Sequence, residues 1–363
     1  MQSTFVAAAL FYAPSAMAED VQVGINVQTR YVEQVTFDPA EGATTTDGSG
    51  FRSRRAAVTG KSEFGDAFEL RFKIDLARTV SFVDADGESR DVLRPILDDS
   101  ALVLGTKSPV TVTLGQYKLP FSQQTLTPDN AVVFPERSLV VDGLKVPGIS
   151  VSGLAVARDI GAMVQGKFGK EKVGVWAGVF GGDGPNVWPP KDPGNLYVVR
   201  VAASPMGKVA MDEADLAHGD RRIAFGAAVL ANHSVADATV DGRFEADLRY
   251  FSNGFGLIAE GEMATSLGGE AVDPAYGFHA TANYALASKH LLPAARFSLL
   301  RADDTSTWTA EGAVAWLLPN IATPEEGDDF GHKGKLILAW QLAGSADEGP
   351  VGTQVLLEAN VTR

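Results

Sequence analysis

The sequence predicts an all-β protein, a transmembrane antiparallel β-barrel of about 16 strands with one loop folded into its interior. Three observations carry that expectation. Between residues 68 and 76, Phe68, Leu70, Phe72, Ile74 and Leu76 fall on one face while Glu69, Arg71, Lys73 and Asp75 fall on the other. Period-two alternation is a β-strand, and faces this extreme suit a wall with lipid on one side and water on the other. The same rhythm returns along most of the chain, broken by one long proline-bearing stretch at 120–153. Finally, no run approaches eighteen apolar residues, so a helical span is excluded, whereas a barrel exposes only alternate residues to lipid.

Taken in order, residues 1–18 read as an export signal, with an apolar core and Ala16-Met17-Ala18 as a small-x-small cleavage site before Glu19. No Lys or Arg precedes that core. Residues 19–363 are then the barrel domain. Residues 21–32 alternate, with Val21, Val23, Ile25 and Val27 opposite Gln22, Asn26, Gln28 and Arg30. The polar stretch 37–50 reads as a long exposed loop. In 51–64, Arg55, Thr59, Lys61 and Glu63 share a face opposite Ala56, Val58 and Phe64, which places Arg52 and Arg54 on the outward parity as snorkelling rim residues.

Gly65-Asp66 is a turn signal. Paired residues must point the same way, so matching the two apolar faces requires a three-residue loop or a bulge there. One register of that parity sets Lys61 opposite Glu69 and Arg55 opposite Asp75, but the sequence does not fix it. Residues 84–88 resemble the start of a calcium loop. The twelfth position is Pro95 rather than Glu, so the turn reading prevails.

Two strands follow over 101–117. The stretch 120–153 holds Pro120, Pro128, Pro135 and Pro147 without sustained periodicity. A loop that long in a compact fold is a candidate for function. Inside a barrel it is placed to narrow the lumen, with Phe134, Glu136, Arg137 and Lys145 at the constriction.

From Arg158 onward strand and turn alternate, with outward faces such as Val173, Val175, Ala177 and Val179, or Leu336, Leu338, Trp340 and Leu342. Aromatic residues gather beside turns, as Phe64 and Phe68 do, and as Tyr250, Phe251 and Phe255 do. Long loops such as 181–194 and 318–334 are expected at one end and tight turns at the other. Inward Gly174, Gly178, Gly226 and Ala228 read as room for water.

The formal net charge is −14, and there are no cysteines. Lys and Arg are concentrated before residue 205. An acidic balance argues against nucleic acid as a partner. Freedom from cysteine suits an exported chain with no disulfide framework. No Gly-x-Ser-x-Gly elbow, His-Glu-x-x-His or phosphate-cradling glycine loop occurs, and the five histidines lack ligand spacing. No catalytic, cofactor or metal residues are therefore expected. Glu260 and Glu262 share an inward parity and read as a water-facing wall rather than a catalytic pair. A barrel-embedded lipase or a non-conducting surface β-protein remains an alternative.

Three stretches together resemble the phosphate-selective porin O/P family of bacterial outer membranes. Their matching elements are Gly115-Gln116, Lys118, Pro120-Phe121, Glu136-Arg137-Ser138, Arg158-Asp159-x-Gly161 and Gly181-Gly182-Asp183-Gly184. The resemblance implies a 16-stranded barrel in the outer membrane of a Gram-negative bacterium. It also implies a homotrimer surrounded by outer-membrane lipid, a channel for small anions such as phosphate through each subunit, and 120–138 as the constriction. Two departures accompany it. Members concentrate positive charge in the lumen, whereas this chain is acidic and its inward faces mix signs. Such barrels also end in an aromatic residue, where this sequence reads Val361-Thr362-Arg363. The cations expected to line the pore are Arg30, Arg55, Lys61, Arg71 and Lys73. Paired against Glu63, Glu69 and Asp75, they would shape a field that favours one sign of ion.

Overall fold

Alternation along the chain becomes a closed cylinder. The computed structural model describes residues 20–37, 44–46, 49–65, 68–83, 89–146, 149–189, 191–209, 211–269, 273–286, 290–318, 334–346 and 349–362. The expected export signal and the turn at 84–88 lie outside the described residues.

The first strands are β1 (Asp20–Phe37), β2 (Thr44–Thr46), β3 (Gly50–Phe64), β4 (Phe68–Val83), β5 (Ser89–Leu104) and β6 (Val110–Lys118). The loop after β6 carries the small hairpin β7 (Leu144–Val146) and β8 (Ile149–Val151). The wall resumes with β9 (Arg158–Phe168), β10 (Val173–Phe180), β11 (Asn195–Ala203), β12 (Arg222–Ser234), β13 (Thr239–Ser252) and β14 (Phe255–Gly268). It ends with β15 (Ala275–Tyr284), β16 (Leu291–Ala302), β17 (Thr305–Leu317), β18 (Gly334–Ser345) and β19 (Gly349–Thr362).

Each strand pairs antiparallel with its neighbour in sequence. β9 bridges the gap left by the loop by pairing with both β6 and β10. β1 then pairs with β19, from Asn26 opposite Thr362 to Thr36 opposite Gly352, and closes a barrel of sixteen strands. Closure leaves the wall without a free edge, which a spanning sheet requires because lipid offers no hydrogen bonds. Within the stretch expected to be loop, Thr44–Thr46 adds a short strand against Val35–Phe37.

Burial runs opposite to that of a water-soluble protein. Val21 is 64% exposed and Leu357 51%, while Arg30 and Arg200 are each 1% exposed. The outward faces read from alternation are the exposed apolar ones, including Val164, Val179, Phe225, Leu338 and Val355. Facing lipid, such residues lose nothing by exposure, and the charged alternates are sheltered in the lumen. Phe251 is an exception among the girdle residues, because it turns inward against Ala224 and Ile258.

Parity correctly required an odd connection between β3 and β4. Phe64 pairs with Phe68, their rings stacked with centroids 4.5 Å apart, and three residues join them. The register differs by two residues from the one considered, with Lys61 opposite Arg71 and Glu63 opposite Glu69. Like charges face each other directly, yet each cation lies diagonal to an acid. Lys61 Nζ is 2.6 Å from Glu63, two residues along its own strand, and 3.0 Å from its diagonal neighbour Glu69, a distance long side chains can span.

Two expectations are corrected. Arg52 and Arg54 are not outward. The β1–β3 register slips between Gln28, opposite Arg55, and Thr29, opposite Ser53, so Arg54 is the extra residue of a bulge. The slip puts Arg52 opposite inward Arg30 and lets Arg54 reach the carboxylate of Glu136 in the interior loop. A bulge re-aims side chains in this way, and alternation alone cannot reveal it. Nor are long connections confined to one end. The connection 181–194 joins β10 to β11 at the rim from which the interior loop hangs, whereas 204–221, between β11 and β12, is at the other rim. β17 ends and β18 begins at that second rim too.

Candidate functional site

The lumen is crossed by the loop between β6 and β9, residues 119–157. Its apolar residues dock on the inner wall in three places. Leu119 and Phe121 pack with Phe180, Leu196 and Val198, Val133 and Phe134 with Val32, Leu292 and Ile337, and Leu139 and Val140 with Leu300. Two short helical turns stiffen the loop. Ser122 Oγ accepts from Thr125 N–H and Ser138 Oγ from Val141 N–H, the usual role of serine at a helix start.

Cations gather on one side, and loop acids are held among them. Arg30 donates to Glu358 from Nε (3.1 Å) and Nη2 (2.6 Å), to the Pro135 carbonyl (3.1 Å) and to Glu136. Glu136 also meets Arg54 at 2.9 Å. Arg55 lies 3.5 Å from Asp75 and contacts Asp129, and Lys73 Nζ is 3.1 Å from Asp129 and 3.5 Å from Asp98. Arg158 bonds Asp99 at 2.7 Å, and Lys118 Nζ donates to the carbonyls of Thr125 and Thr127. Burial works against the charge of Glu136, but Arg54 and Arg30 outweigh it and hold the carboxyl well below the ordinary range.

Of the cations expected to line the pore, Arg30, Arg55 and Lys73 therefore meet around the loop. Lys61 and Arg71 form a separate group with Glu63 and Glu69 near the opposite rim, where Arg71 is 56% exposed. Of the expected constriction residues, Glu136 and Arg137 sit at the cationic side. Arg137 folds back on the carbonyls of Gln124 and Thr127 and pairs with Asp129 at 2.9 Å. Phe134 is buried against the wall beneath the Arg296 guanidinium, 4.3 Å from its ring centroid. Lys145 is exposed on the β7–β8 hairpin, away from the others. Arg54, Asp98, Asp99, Asp129 and Arg158 escaped the site reading. Arg158 stood in a recognisable motif, but the partners of the rest depend on register and on the loop's path.

Across the lumen the wall is acidic. Glu245 faces Glu262 and Asp247 faces Glu260 on β13 and β14, all four buried. Arg200 on β11 reaches across β12 to Glu245 (2.6 Å) and to Asp247. Gly226 on β12 makes the crossing possible, because a Cβ there would collide with the Asp247 carboxylate and the Arg200 guanidinium. The room read at Gly226 thus holds an ion pair rather than water, and the rings of Trp176 and Phe180 cover Gly174 and Gly178. Glu260 accepts from the backbone N–H groups of Gln123 (3.0 Å) and Gln124 (2.9 Å), fastening the start of the loop to this side.

A second segment, 204–221, enters from the opposite rim and touches the loop through Glu213. The neighbouring Asp212 carboxyl is pushed up to about 7, chiefly by burial; the Ala214 amide and Lys335 oppose the shift and Glu213 adds to it. A raised acid pKa stabilises docking fully below the ordinary value of 3.8 and progressively less as pH rises toward about 7. Amide exchange in 204–221, corrected for intrinsic rates, is therefore expected to be slower at about pH 5 than at about pH 8. Asp212→Asn should abolish the difference.

Comparison with known proteins places the architecture. A family model described as phosphate-selective porin O and P matches residues 21–266. The outer membrane channel DcaP of Acinetobacter baumannii aligns with a TM-score of 0.56 at 14% identity, covering 96% of this chain and 98% of that one. The trimer form of OmpT, an outer membrane protein of Vibrio cholerae, aligns at 0.52 and 12% identity over 95% and 100% of the two chains. OccK9 (OpdG) of Pseudomonas aeruginosa aligns at 0.51 and 13% identity over 95% and 99%. At such identities the likeness shows the fold alone. None of the curated proteins matches the sequence.

Proposed function

Because the chain belongs to the phosphate-selective porin O and P family, it is an outer-membrane porin, and we propose that it conducts small anions, phosphate among them, with weak selectivity. The single observation that carries this reading is the one-sided cationic wall of Arg30, Arg54, Arg55, Lys73 and Arg158. Diffusion through such a pore is passive. A cation-rich side lowers the barrier for an anion because the low-dielectric wall focuses the field into the aqueous path. Lys61 and Arg71 near the far rim would extend that path. Asp129 and Glu136 of the loop, with Asp75, Asp98, Asp99 and Glu358 of the wall, stand among the cations and cancel much of the field, which is why we expect a preference rather than strict exclusion. Glu136 and Arg137 would set the narrowest point. A homotrimer fits this reading, supported by the trimer form of the OmpT neighbour, as does removal of residues 1–18 on export.

The test is the reversal potential of purified protein in a planar bilayer bathed by asymmetric KCl. The sign of chloride preference is expected, and a threefold substitution of Arg55, Lys73 and Arg158 by alanine should move it toward potassium. Potassium preference in the native protein would contradict the reading.

A further inference from the structure

The interior loop is held from both ends of the barrel. Apolar and ionic contacts with the wall fix its flanks. Its tip, residues 130–134, rests on the wall through Val133, Phe134 and the Lys335 ammonium, which donates to the Asn130 (3.1 Å) and Val132 carbonyls, and is met as well by a segment arriving from the other rim. Glu213, buried at 3% exposure, accepts from Gln124 Nε2 at 2.9 Å through one oxygen and from Val133 N–H at 2.8 Å through the other. Its backbone joins the same bridge, since Glu213 N–H donates to the Ala131 carbonyl at 3.2 Å and Asn283 Nδ2 donates to the Glu213 carbonyl at 2.6 Å.

Behind Glu213 the segment is rigidly tied. Asp215 is buried, contacts Arg222 and accepts from Gly254 N–H in the β13–β14 turn at 2.9 Å, while Asn253 N–H donates to the Gly219 carbonyl. Ala214 packs in the apolar cluster that holds Val133 and Phe134. One carboxylate thus links a wall-anchored segment to two separate parts of the loop, the helical turn Gln123–Leu126 and the tip.

We infer that Glu213 is a positioning residue for the constriction: segment 204–221 braces the interior loop from the opposite rim and fixes the pore's size limit. A buried carboxylate is costly unless its lone pairs are filled, so this one is satisfied only when the loop is in place. Displacing the loop tip leaves one Glu213 oxygen and the Val133 N–H unmatched, which makes displacement a rare excursion. The inference rests on the channel reading, and its outcome is distinguishable from a failure of that reading.

The experiment compares native protein, Glu213→Ala, Glu213→Gln and the exposed control Asp220→Asn in planar bilayers, alongside vesicle swelling with neutral sugars of increasing size. Folding is monitored by resistance of the barrel to heat in detergent. Removing the charged bridge is expected to raise the time spent in larger-conductance substates by about tenfold or more, the factor one charged hydrogen bond represents. Larger sugars should then enter. Glu213→Gln should fall between native and Glu213→Ala, because its amide oxygen can still accept from Val133 while its NH2 opposes that of Gln124. If Glu213→Ala does not fold, Glu213→Gln decides alone by the same readouts. Steady native-like currents and an unchanged sugar cut-off in a folded variant would overturn the inference. A native protein that inserts yet gives no current would instead overturn the channel reading.

Discussion

Arg200→Ala is expected to be the most destabilising single substitution in the lumen. The guanidinium sits between Glu245 and Asp247, and all three are buried. Those carboxylates in turn stand directly opposite Glu262 and Glu260. Without Arg200, both carboxylates are left in low dielectric beside two further acids, with Arg249, 4.0 Å from Asp247, the cation still near them. Breaking a buried ion pair from one side costs about 3–5 kcal/mol, because the remaining charge keeps its desolvation penalty and loses its partner. The guanidinium also donates to the Phe121 carbonyl at 2.7 Å, so the start of the loop loosens with it. The check is the denaturant midpoint of the barrel refolded in vesicles. Arg200→Lys should recover only part of the loss, since a point charge cannot span both acids. Arg200→Met combined with Glu245→Gln and Asp247→Asn should be far less damaging than Arg200→Ala alone, as removing a buried cation together with the acids it bonds often is. Equal damage in the triple variant would show that the cost lies in packing, not charge.

Glu136→Gln is expected to produce the largest change in selectivity. Glu136 carries the loop's negative charge into the cationic wall, where Arg30 and Arg54 grip it. A unit charge about 6 Å from a passing ion is worth about 1 kcal/mol at an effective dielectric constant of about 60, roughly a fivefold change in local occupancy. Removing the acid frees Arg54 toward the passage and leaves Arg30 tied to Glu358 and the Pro135 carbonyl, so the local field turns more positive, anion occupancy rises and cation occupancy falls. The chloride-to-potassium permeability ratio should increase by about fivefold or more, read from the reversal potential. The effect should shrink at high salt as screening shortens its range. An unchanged ratio would mean that the permeating ion does not pass Glu136.

What could be read in the sequence follows from what lipid enforces. Along β3, β4 and the strands after Arg158, a hydrocarbon surround demands an apolar residue at every second position, so the outward faces were legible from alternation. Parity also required the odd connection after Phe64. Register was not legible, because sliding β4 by two residues preserves both faces and only redistributes charge along the lumen. The bulge at Arg54 was hidden for a related reason. One extra residue exchanges the faces beyond it, which made Arg52 and Arg54 look outward when both belong inside. Gly226 looked like empty space, yet its missing side chain is what lets Arg200 cross a strand. Segment 204–221 gave the least warning, as its mixture of Asp, Glu, Ala and Gly suits an ordinary surface turn. Its buried Glu213 acquires meaning only through the loop that meets it.

The most direct test of the whole account is stepwise conductance. Purified protein added to a planar lipid bilayer should produce discrete, long-lived current increments that grow in proportion to KCl concentration, as a water-filled passage through a lipid-embedded barrel must. Protein that inserts with its β-structure and heat resistance intact but leaves the bilayer current at baseline would contradict it.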